Sequence, residues 1–167
     1  MATECSFDVV SKVDFQEVKN AIEHALKEIR QRYDFKGSVS SIELIASDKI
    51  ALSSDDEIKL KAVIDVLQSK LFKRGVSIRA LTYGKIQQAS KGSVRQEITI
   101  SQGIPQEKAK LFINGIKENK FKVQVSIQGD QLRISGKDKD TLQEVIAFLR
   151  REQGRANIDI QIVNLRG

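Results

Sequence analysis

The order of the predicted secondary structure occurs twice along the chain, and this limits the possible folds more than any other feature. Periodic apolar residues predict a strand, a helix, two strands, a helix and a strand over residues 6–86, and the same order over residues 94–165. Two helices on one face of an antiparallel sheet give the ferredoxin-like topology. We therefore predict an α+β fold of two tandem ferredoxin-like (βαββαβ) domains, residues 1–88 and 89–167, joined by the polar segment QQASKGS.

Four amphipathic helices are predicted from apolar residues spaced three or four apart. The predicted first residues or caps are Asp14, Ser54, Pro105 and Lys139. A Glu three residues after Asp14 and after Ser54 is the spacing of a capping box, which opens a helix. The apolar face of the first helix extends to Tyr33, and Gly154 is predicted to end the fourth helix.

Alternating apolar and polar residues predict the strands between these helices. The predicted strands are 6–10, 38–46, 49–54, 76–86, 94–102, 121–128, 131–136 and 157–165. The pairs Ser47-Asp48 and Gly129-Asp130 each separate two strands by two residues, which is typical of a β-hairpin.

Charge and composition favour a binding protein over an enzyme. Lys and Arg total 28 against 22 acidic residues, and this net charge of +6 favours an anionic partner. Cys5 is the only cysteine, so no disulfide forms within the chain and a cytoplasmic location is expected. His24 is the only histidine, which excludes multi-histidine metal sites and disfavours Ser-His-Asp or Cys-His catalysis. No apolar run is long enough to span a membrane. We expect no catalytic residues, no metal and no cofactor.

The predicted topology is also that of RNA-recognition domains, which stack bases on aromatic residues of their central strands. The corresponding strands, 49–54 and 131–136, contain no aromatic residue. A platform for base stacking is therefore not expected, whereas binding of nucleic acid through charge alone stays open.

Two segments combine basic residues with features that bind phosphate. RQRYDFKGS places Arg32 and Lys36 beside Tyr33 and Phe35 at the end of a helix. These basic residues either complement the helix dipole, or they bind a phosphate beside an aromatic ring on which a nucleotide base stacks. The segment SGKDKD places Lys137 before a helix N-terminus, where free N–H groups bind anions.

The chain contains, in this order, the segments SFDVVSKVDFQEVKNAI, RYDFKGS, LFKRG and KVQVSIQGDQLRISGKDKDTLQEVI. In their order and spacing, these segments resemble the YajQ family of bacterial proteins over nearly the whole chain. The resemblance implies that the two ferredoxin-like domains exchange their first strands. Residues 6–10 would then join the sheet of the second half, and residues 94–102 would join the sheet of the first half.

The resemblance also implies a function. The family is described as nucleotide-binding; members are linked to purine nucleotides and RNA, and some bind cyclic di-GMP and act as effectors that contact transcription factors. The implied partners are therefore a nucleotide (GTP, ATP or cyclic di-GMP), with RNA and a transcription factor as further candidates. The chemistry of the family-like segments gives eight candidate nucleotide-binding residues: Ser6, Asp8, Arg32, Lys36, Lys73, Arg74, Arg133 and Lys137.

Our leading hypothesis is a non-catalytic nucleotide-binding protein, with a cyclic di-GMP effector as one form of it. Arg and Lys side chains would hold the phosphates near the cleft between the two domains. The alternatives left open are a sequence-independent RNA-binding protein, an adaptor that docks only proteins, and an enzyme of unrecognised type.

Overall fold

The computed structural model describes residues 4–167, which form four α-helices, three short 3₁₀ helices and nine strands. The strands are β1 (Cys5–Val10), β2 (Ser41–Ala46), β3 (Lys49–Ser54), β4 (Leu81–Tyr83), β5 (Gln87–Gln88), β6 (Val94–Ile100), β7 (Val123–Gln128), β8 (Gln131–Gly136) and β9 (Gln161–Arg166). The helices are α1 (Phe15–Gln31), α2 (Glu57–Lys73), α3 (Gln106–Glu118) and α4 (Lys139–Ala156).

The strands form two sheets, each of which contains the first strand of the other half of the sequence. One sheet has the order β7-β8-β1-β9, so the N-terminal strand pairs with strands of the second half. The other has the order β2-β3-β6-β4, with β5 also paired to β6. The predicted fold class and the exchange of first strands are confirmed.

The chain therefore folds as two compact units that differ in continuity. The split unit joins the segment that ends at Lys12 to Gln102–Gly167, and the continuous unit is Val13–Ser101. The predicted domain boundary at residue 88 divides the sequence according to its repeated order of helices and strands. This boundary stays a prediction.

The core of the split unit lies between its four-stranded sheet and helices α3 and α4. Phe7 of β1 is opposite Ile134 of β8, and both are fully buried. They belong to one apolar cluster with Phe112 of α3 and Leu142 of α4. Because side chains alternate along a strand, this arrangement turns Ser6 and Asp8 to the other face of the sheet.

The continuous unit has its own core, formed by the sheet that contains β3 and β6 together with α1 and α2. Ile50 and Ile98 pair across β3 and β6 and are fully buried. They pack in one cluster with Val18 of α1 and with Leu67 of α2. Each half of the duplicated pattern thus supplies two helices to one sheet.

The first two helices differ from the sequence prediction at their ends. Asp14 caps α1 as predicted, since its side chain accepts hydrogen bonds from the backbone N–H groups of Gln16 and Glu17. The helix ends at Gln31, however, and Tyr33 is 87% exposed.

The capping box predicted at Ser54 is wrong. Ser54 is the last residue of β3 and pairs with Val94, while Asp56 caps α2 by accepting from Lys59 N–H. The strand continues to residue 54 because β6 extends its pairing. Asp55 accepts hydrogen bonds from Ser38 and Val39, so Asp56 is the side chain that caps the helix.

The remaining differences concern a helix end and two predicted extended segments. Gly154 lies inside α4, which ends instead at Asn157 in the left-handed conformation, with φ of 54°. The predicted strand 76–86 is reduced to β4, preceded by the 3₁₀ turn Ile78–Ala80. The predicted linker contains β5, whose two residues pair with Arg95 and Val94.

Candidate functional site

One face of the β7-β8-β1-β9 sheet is polar, and three of the eight predicted residues lie on it. Helices α3 and α4 pack on the opposite face, against Phe7, Leu132 and Ile134. The register pairs Ser6 with Ser135 and Asp8 with Arg133. We call the polar side the open face of the split unit.

Asp8 is the centre of an ion-pair cluster on the open face. Its side chain is 1% exposed, and its two oxygens accept from Arg133: Oδ1 from Nε at 2.9 Å and Oδ2 from an Nη at 3.4 Å. Oδ2 also accepts from Arg166 at 3.3 Å and from the Asn164 amide at 2.8 Å. A second Nη of Arg166 donates to the Ser6 hydroxyl at 3.0 Å. One carboxylate therefore fixes two arginines.

These contacts strongly stabilise the ionised form of Asp8. The hydrogen bond from Arg133 is the largest cause that lowers its pKa, to about 2, and the hydrogen bonds from Asn164 and Arg166 act in the same direction against the opposing effect of burial. The same interaction raises the pKa of Arg133. Asp8 therefore remains an anion at neutral pH and balances one of the two positive charges.

The position of Arg166 depends on an irregularity in the edge strand β9. Val163 is opposite Asp8, but Arg166 is opposite Ser6, so the register shifts by one residue between them. Asn164, with φ of 56°, takes the left-handed conformation that such a bulge requires. The bulge turns both Asn164 and Arg166 toward Asp8.

The two arginines retain hydrogen-bonding capacity for a ligand. The side chain of Arg133 is 39% exposed and that of Arg166 is 44% exposed. A guanidinium has five N–H donors, and the bonds to Asp8 and Ser6 use only some of them. The remaining donors can bind an anion such as a phosphate, for which the planar fork is well suited.

The other five predicted residues do not belong to the strands of this sheet. Lys137 is exposed between β8 and α4, and the neighbouring Asp138 caps α4. Arg32 and Lys36 flank the 3₁₀ turn after α1, near Lys59 of α2. Lys73 and Arg74 lie at the C-terminal end of α2.

Arg32 and Arg74 are already paired with acidic residues. Arg32 lies 2.7 Å from Asp34 and 3.5 Å from Glu28, and its guanidinium is over the Phe35 ring at 5.3 Å from the centroid. These carboxylates raise the pKa of Arg32, with the hydrogen bond to Asp34 as the main cause.

Arg74 contacts Glu17 at 3.6 Å and the His24 ring at 3.0 Å. Lys70, one turn earlier, pairs with Glu28. The contacts of Arg74 and Lys70 connect α2 to α1, so these two basic residues at the end of α2 have a structural role.

Within residues 4–167, no group of three His, Cys, Asp or Glu residues is placed to hold a metal ion. Nor does any helix in that range have the length and apolarity to cross a membrane.

Residues 5–166 match the protein family described as "Nucleotide-binding protein YajQ-like". The chain belongs to this family. The resemblance of the sequence to the YajQ family is thereby confirmed.

Three curated relatives cover nearly the same length. A protein named "Nucleotide-binding protein" from Desulfitobacterium hafniense (strain DSM 10664 / DCB-2) is 56% identical over 166 residues, which is 99% of this chain and 100% of the relative. A relative of the same name from Geotalea uraniireducens is 56% identical over 161 residues, with 96% and 98% covered. Another, from Heliobacterium modesticaldum, is 52% identical over 166 residues, with 99% of both covered.

Sequence reasoning missed Asn164 and Arg166. Regular alternation through residues 157–165 predicts that one face of β9 continues unchanged to its end, whereas the bulge changes which side chains accompany Asp8. The only local signal is Asn164 itself, because Asn adopts the left-handed conformation more readily than most residues.

Proposed function

We propose that this member of the YajQ-like family binds a nucleotide by its phosphate on the open face of the split unit, without converting it chemically. The observation that carries the proposal is the pair of partly exposed arginines held by one buried carboxylate, Asp8. Arg133 and Arg166 are the residues that would contact the phosphate. Asp8, Ser6 and Asn164 are positioning residues.

The arrangement favours an anion because the cluster carries two positive charges and one negative charge. Charge-assisted hydrogen bonds from guanidinium to phosphate are about twice as strong as neutral ones. Arginines fixed in advance lose less side-chain entropy on binding than mobile lysines. The ion pairs with Asp8 thus prepare the site and leave it with a net positive charge.

The nucleotide base would be held by shape and polar contacts. Strand register places Gln124, Ser126 and Ser135 on the same face as Arg133. Their amide and hydroxyl groups offer both donors and acceptors to a base edge. The planes of the guanidinium groups provide a surface on which a base can stack.

The candidate ligands are GTP, ATP and cyclic di-GMP. The names of the relatives support a nucleotide in general, and we propose cyclic di-GMP as the ligand of an effector that contacts a transcription factor.

We also propose that the protein acts in the cytoplasm, because the single cysteine leaves no disulfide within the chain.

Calorimetric titration with each of the three nucleotides at physiological salt tests the proposal. Arg133→Ala and Arg166→Ala, made separately so that one arginine always remains on Asp8, should each weaken binding by about 10- to 100-fold, as expected for one charge-assisted hydrogen-bonding partner. Arg150→Ala and Arg151→Ala remove the same charge from exposed positions on α4 and should leave affinity unchanged. The proposal fails if no nucleotide binds, or if the two pairs of variants behave alike.

The loop after α1 is a second proposed location for phosphate contacts. Tyr33 is 87% exposed and Lys36 is also exposed, so an aromatic face and a cation are both accessible there. Arg32→Ala combined with Lys36→Ala tests this location. Loss of affinity in this variant, with normal affinity in Arg133→Ala, would move the site to the loop.

Sequence-independent RNA binding is the second candidate function. A four-stranded sheet with a polar, arginine-bearing face offers an extended surface to a strand of nucleic acid. Single-stranded RNA contacted at Z phosphates predicts a slope of about −0.7Z for log affinity against log salt. A single nucleotide with about two phosphates predicts a much shallower slope, so a salt titration separates the two candidates.

A further inference from the structure

The two sheets have five edge strands in the described part of the chain, and β7 differs from the other four, of which β5 is only two residues long. β2 carries Glu43 and a register shift between Leu44 and Ala46. β4 is three residues long, and β9 contains the bulge at Asn164. A charge, a short length and a bulge are each known to protect an edge from pairing with another chain.

β7 has none of these protections. Its sequence, VQVSIQ, contains no charged residue and no proline, and it pairs with β8 over six residues without a register shift. At about 3.3 Å per residue, it presents a regular edge about 20 Å long.

The backbone N–H and C=O groups of β7 that point away from β8 belong to the residues with apolar side chains. Gln128 and Gln131 flank a two-residue turn, and this pair exchanges hydrogen bonds in a hairpin. Pairs alternate along an antiparallel ladder, so Val125 and Ile127 point their N–H and C=O groups away from β8. The N–H of Val123 follows the same pattern, since it donates to Phe121 O at 2.9 Å rather than to β8.

An apolar groove of about 390 Å³ runs beside this edge, on the helix side of the sheet. Its apolar lining comes from Val123, Val125 and Ile127 of β7, from Ile113 and Ile116 of α3, and from Phe121. Ile127 is 44% exposed, and Val123 and Val125 are half-buried. Val125 and Ile127 therefore offer backbone hydrogen bonds at the edge, and all three strand residues offer an apolar surface next to it.

Lysines lie on the helix side of this groove and at the end where β7 begins. Lys117 lines it, and Lys110 lies seven residues earlier on the same side of α3. Lys120 and Lys122 precede β7, and all four lysines are exposed. Glu118, the adjacent acid, lines a different groove with Arg155.

We propose that β7 and its groove bind an extended acidic segment of another protein by strand addition. The segment would add a fifth strand beside β7, place apolar residues at alternate positions in the groove, and direct acidic residues toward the lysines. Charge complementarity favours such a partner over a second copy of this chain, which would bring a second set of lysines to the same edge. The inference does not depend on the proposed nucleotide site.

Fluorescence anisotropy with a labelled nine-residue peptide tests this inference. The probe has the sequence Asp-Glu-Val-Thr-Ile-Thr-Val-Glu-Asp, in which three apolar residues alternate between acidic ends. We expect saturable binding to the full chain. Two control peptides should bind much more weakly: one with the acids replaced by lysine, and one of the same composition with the three apolar residues adjacent.

Two variants of the chain test the two components separately. Val125→Pro removes an outward N–H while leaving the β7–β8 hydrogen bonds intact, since proline is tolerated on the outer side of an edge strand. Lys117→Glu with Lys122→Glu reverses the charge and keeps the strand. Each should weaken peptide binding by about tenfold or more. Lys85→Glu with Lys91→Glu makes the same change in net charge on exposed residues of the continuous unit and should have no such effect.

Three results would overturn the proposal. The first is no saturable binding of the acidic peptide. The second is unchanged binding in the charge-reversed variant, or in Val125→Pro when circular dichroism shows it to be folded. The third is a dimer in sedimentation that Val125→Pro dissociates, because the edge would then belong to a second copy of the chain.

Discussion

Replacing the carboxylate at the centre of the open face should make the protein less stable in a strongly pH-dependent way. Asp8→Asn keeps the shape of the side chain and removes the charge that Arg133 and Arg166 share. The pKa of Asp8 is about 2 in the folded chain, against an ordinary value of 3.8. At about 1.4 kcal/mol per pKa unit, this difference corresponds to about 2.5 kcal/mol of stability at neutral pH.

Solvent screening reduces this stabilisation by Asp8, because the side chains of Arg133 and Arg166 are 39% and 44% exposed. We therefore expect Asp8→Asn to lower the free energy of unfolding by about 1–2 kcal/mol at pH 7. A lowered pKa stabilises the fold above the ordinary pKa and loses its effect as the pH falls through the folded value. The difference between the two proteins should thus be constant above about pH 5 and should shrink steadily from pH 4 to pH 2.

Urea unfolding at several pH values, followed by circular dichroism, measures this difference. Hydrogen exchange of the β1 amides follows the split unit specifically, because the two units need not unfold together. Asp65→Asn, at an exposed position of α2, is the matched control and should show little change. A stability loss in Asp8→Asn that is the same at pH 3 as at pH 7, or no loss at all, would refute the electrostatic reasoning.

Three further predictions concern packing and local geometry. Gly115→Ala should destabilise the split unit by about 1–3 kcal/mol in urea unfolding, because the added Cβ would lie 2.6 Å from Cζ of the buried Phe148; the exposed neighbour Asn114→Ala is the control. Asn157→Ala should cost about 1 kcal/mol, while Asn157→Gly should be nearly neutral, because residue 157 ends α4 with φ of 54°; equal melting temperatures would contradict this. Asp55→Ala should speed hydrogen exchange in the loop before β2, because Asp55 accepts from the Ser38 hydroxyl and from Val39 N–H, and unchanged exchange there would disprove its role.

Local sequence signals predicted the features whose causes are local. The turn at Gly129-Asp130 forms the expected hairpin, with Gln128 opposite Gln131. Asp14 caps α1, and Pro105 directly precedes α3. In each case, the residues that determine the structure lie within one turn of the chain.

Features that depend on distant residues could not be predicted from local sequence signals. Ser54 and Asp56 are both able to cap a helix, and pairing with β6 decides that Ser54 belongs to a strand. The exchange of first strands depends on contacts between segments far apart in the chain, such as Asp8 with Arg133 at a separation of 125 residues. It was expected only from the resemblance to a known family.

The candidate site, too, was only partly predictable from the sequence. Ser6, Asp8 and Arg133 were chosen from separate segments, and the sheet brings them together. Arg166 was overlooked because a one-residue bulge changes the face on which it lies. Lys137, Lys73 and Arg74 were chosen by the same chemical reasoning, but Lys137 lies in the turn before α4, and Lys73 and Arg74 belong to the continuous unit.

The exchange of first strands also has a consequence for synthesis on the ribosome. All of the continuous unit, Val13–Ser101, emerges before the strands that flank β1, so it is able to fold while β1 still lacks partners. We expect β1 to remain sensitive to protease in nascent chains that stop near residue 101 and to become protected only once β8 and β9 have been translated. Equal protection of β1 in the shorter chains would contradict this order of assembly. β1 is thus translated before the other described strands and is among the last to be fixed in its sheet.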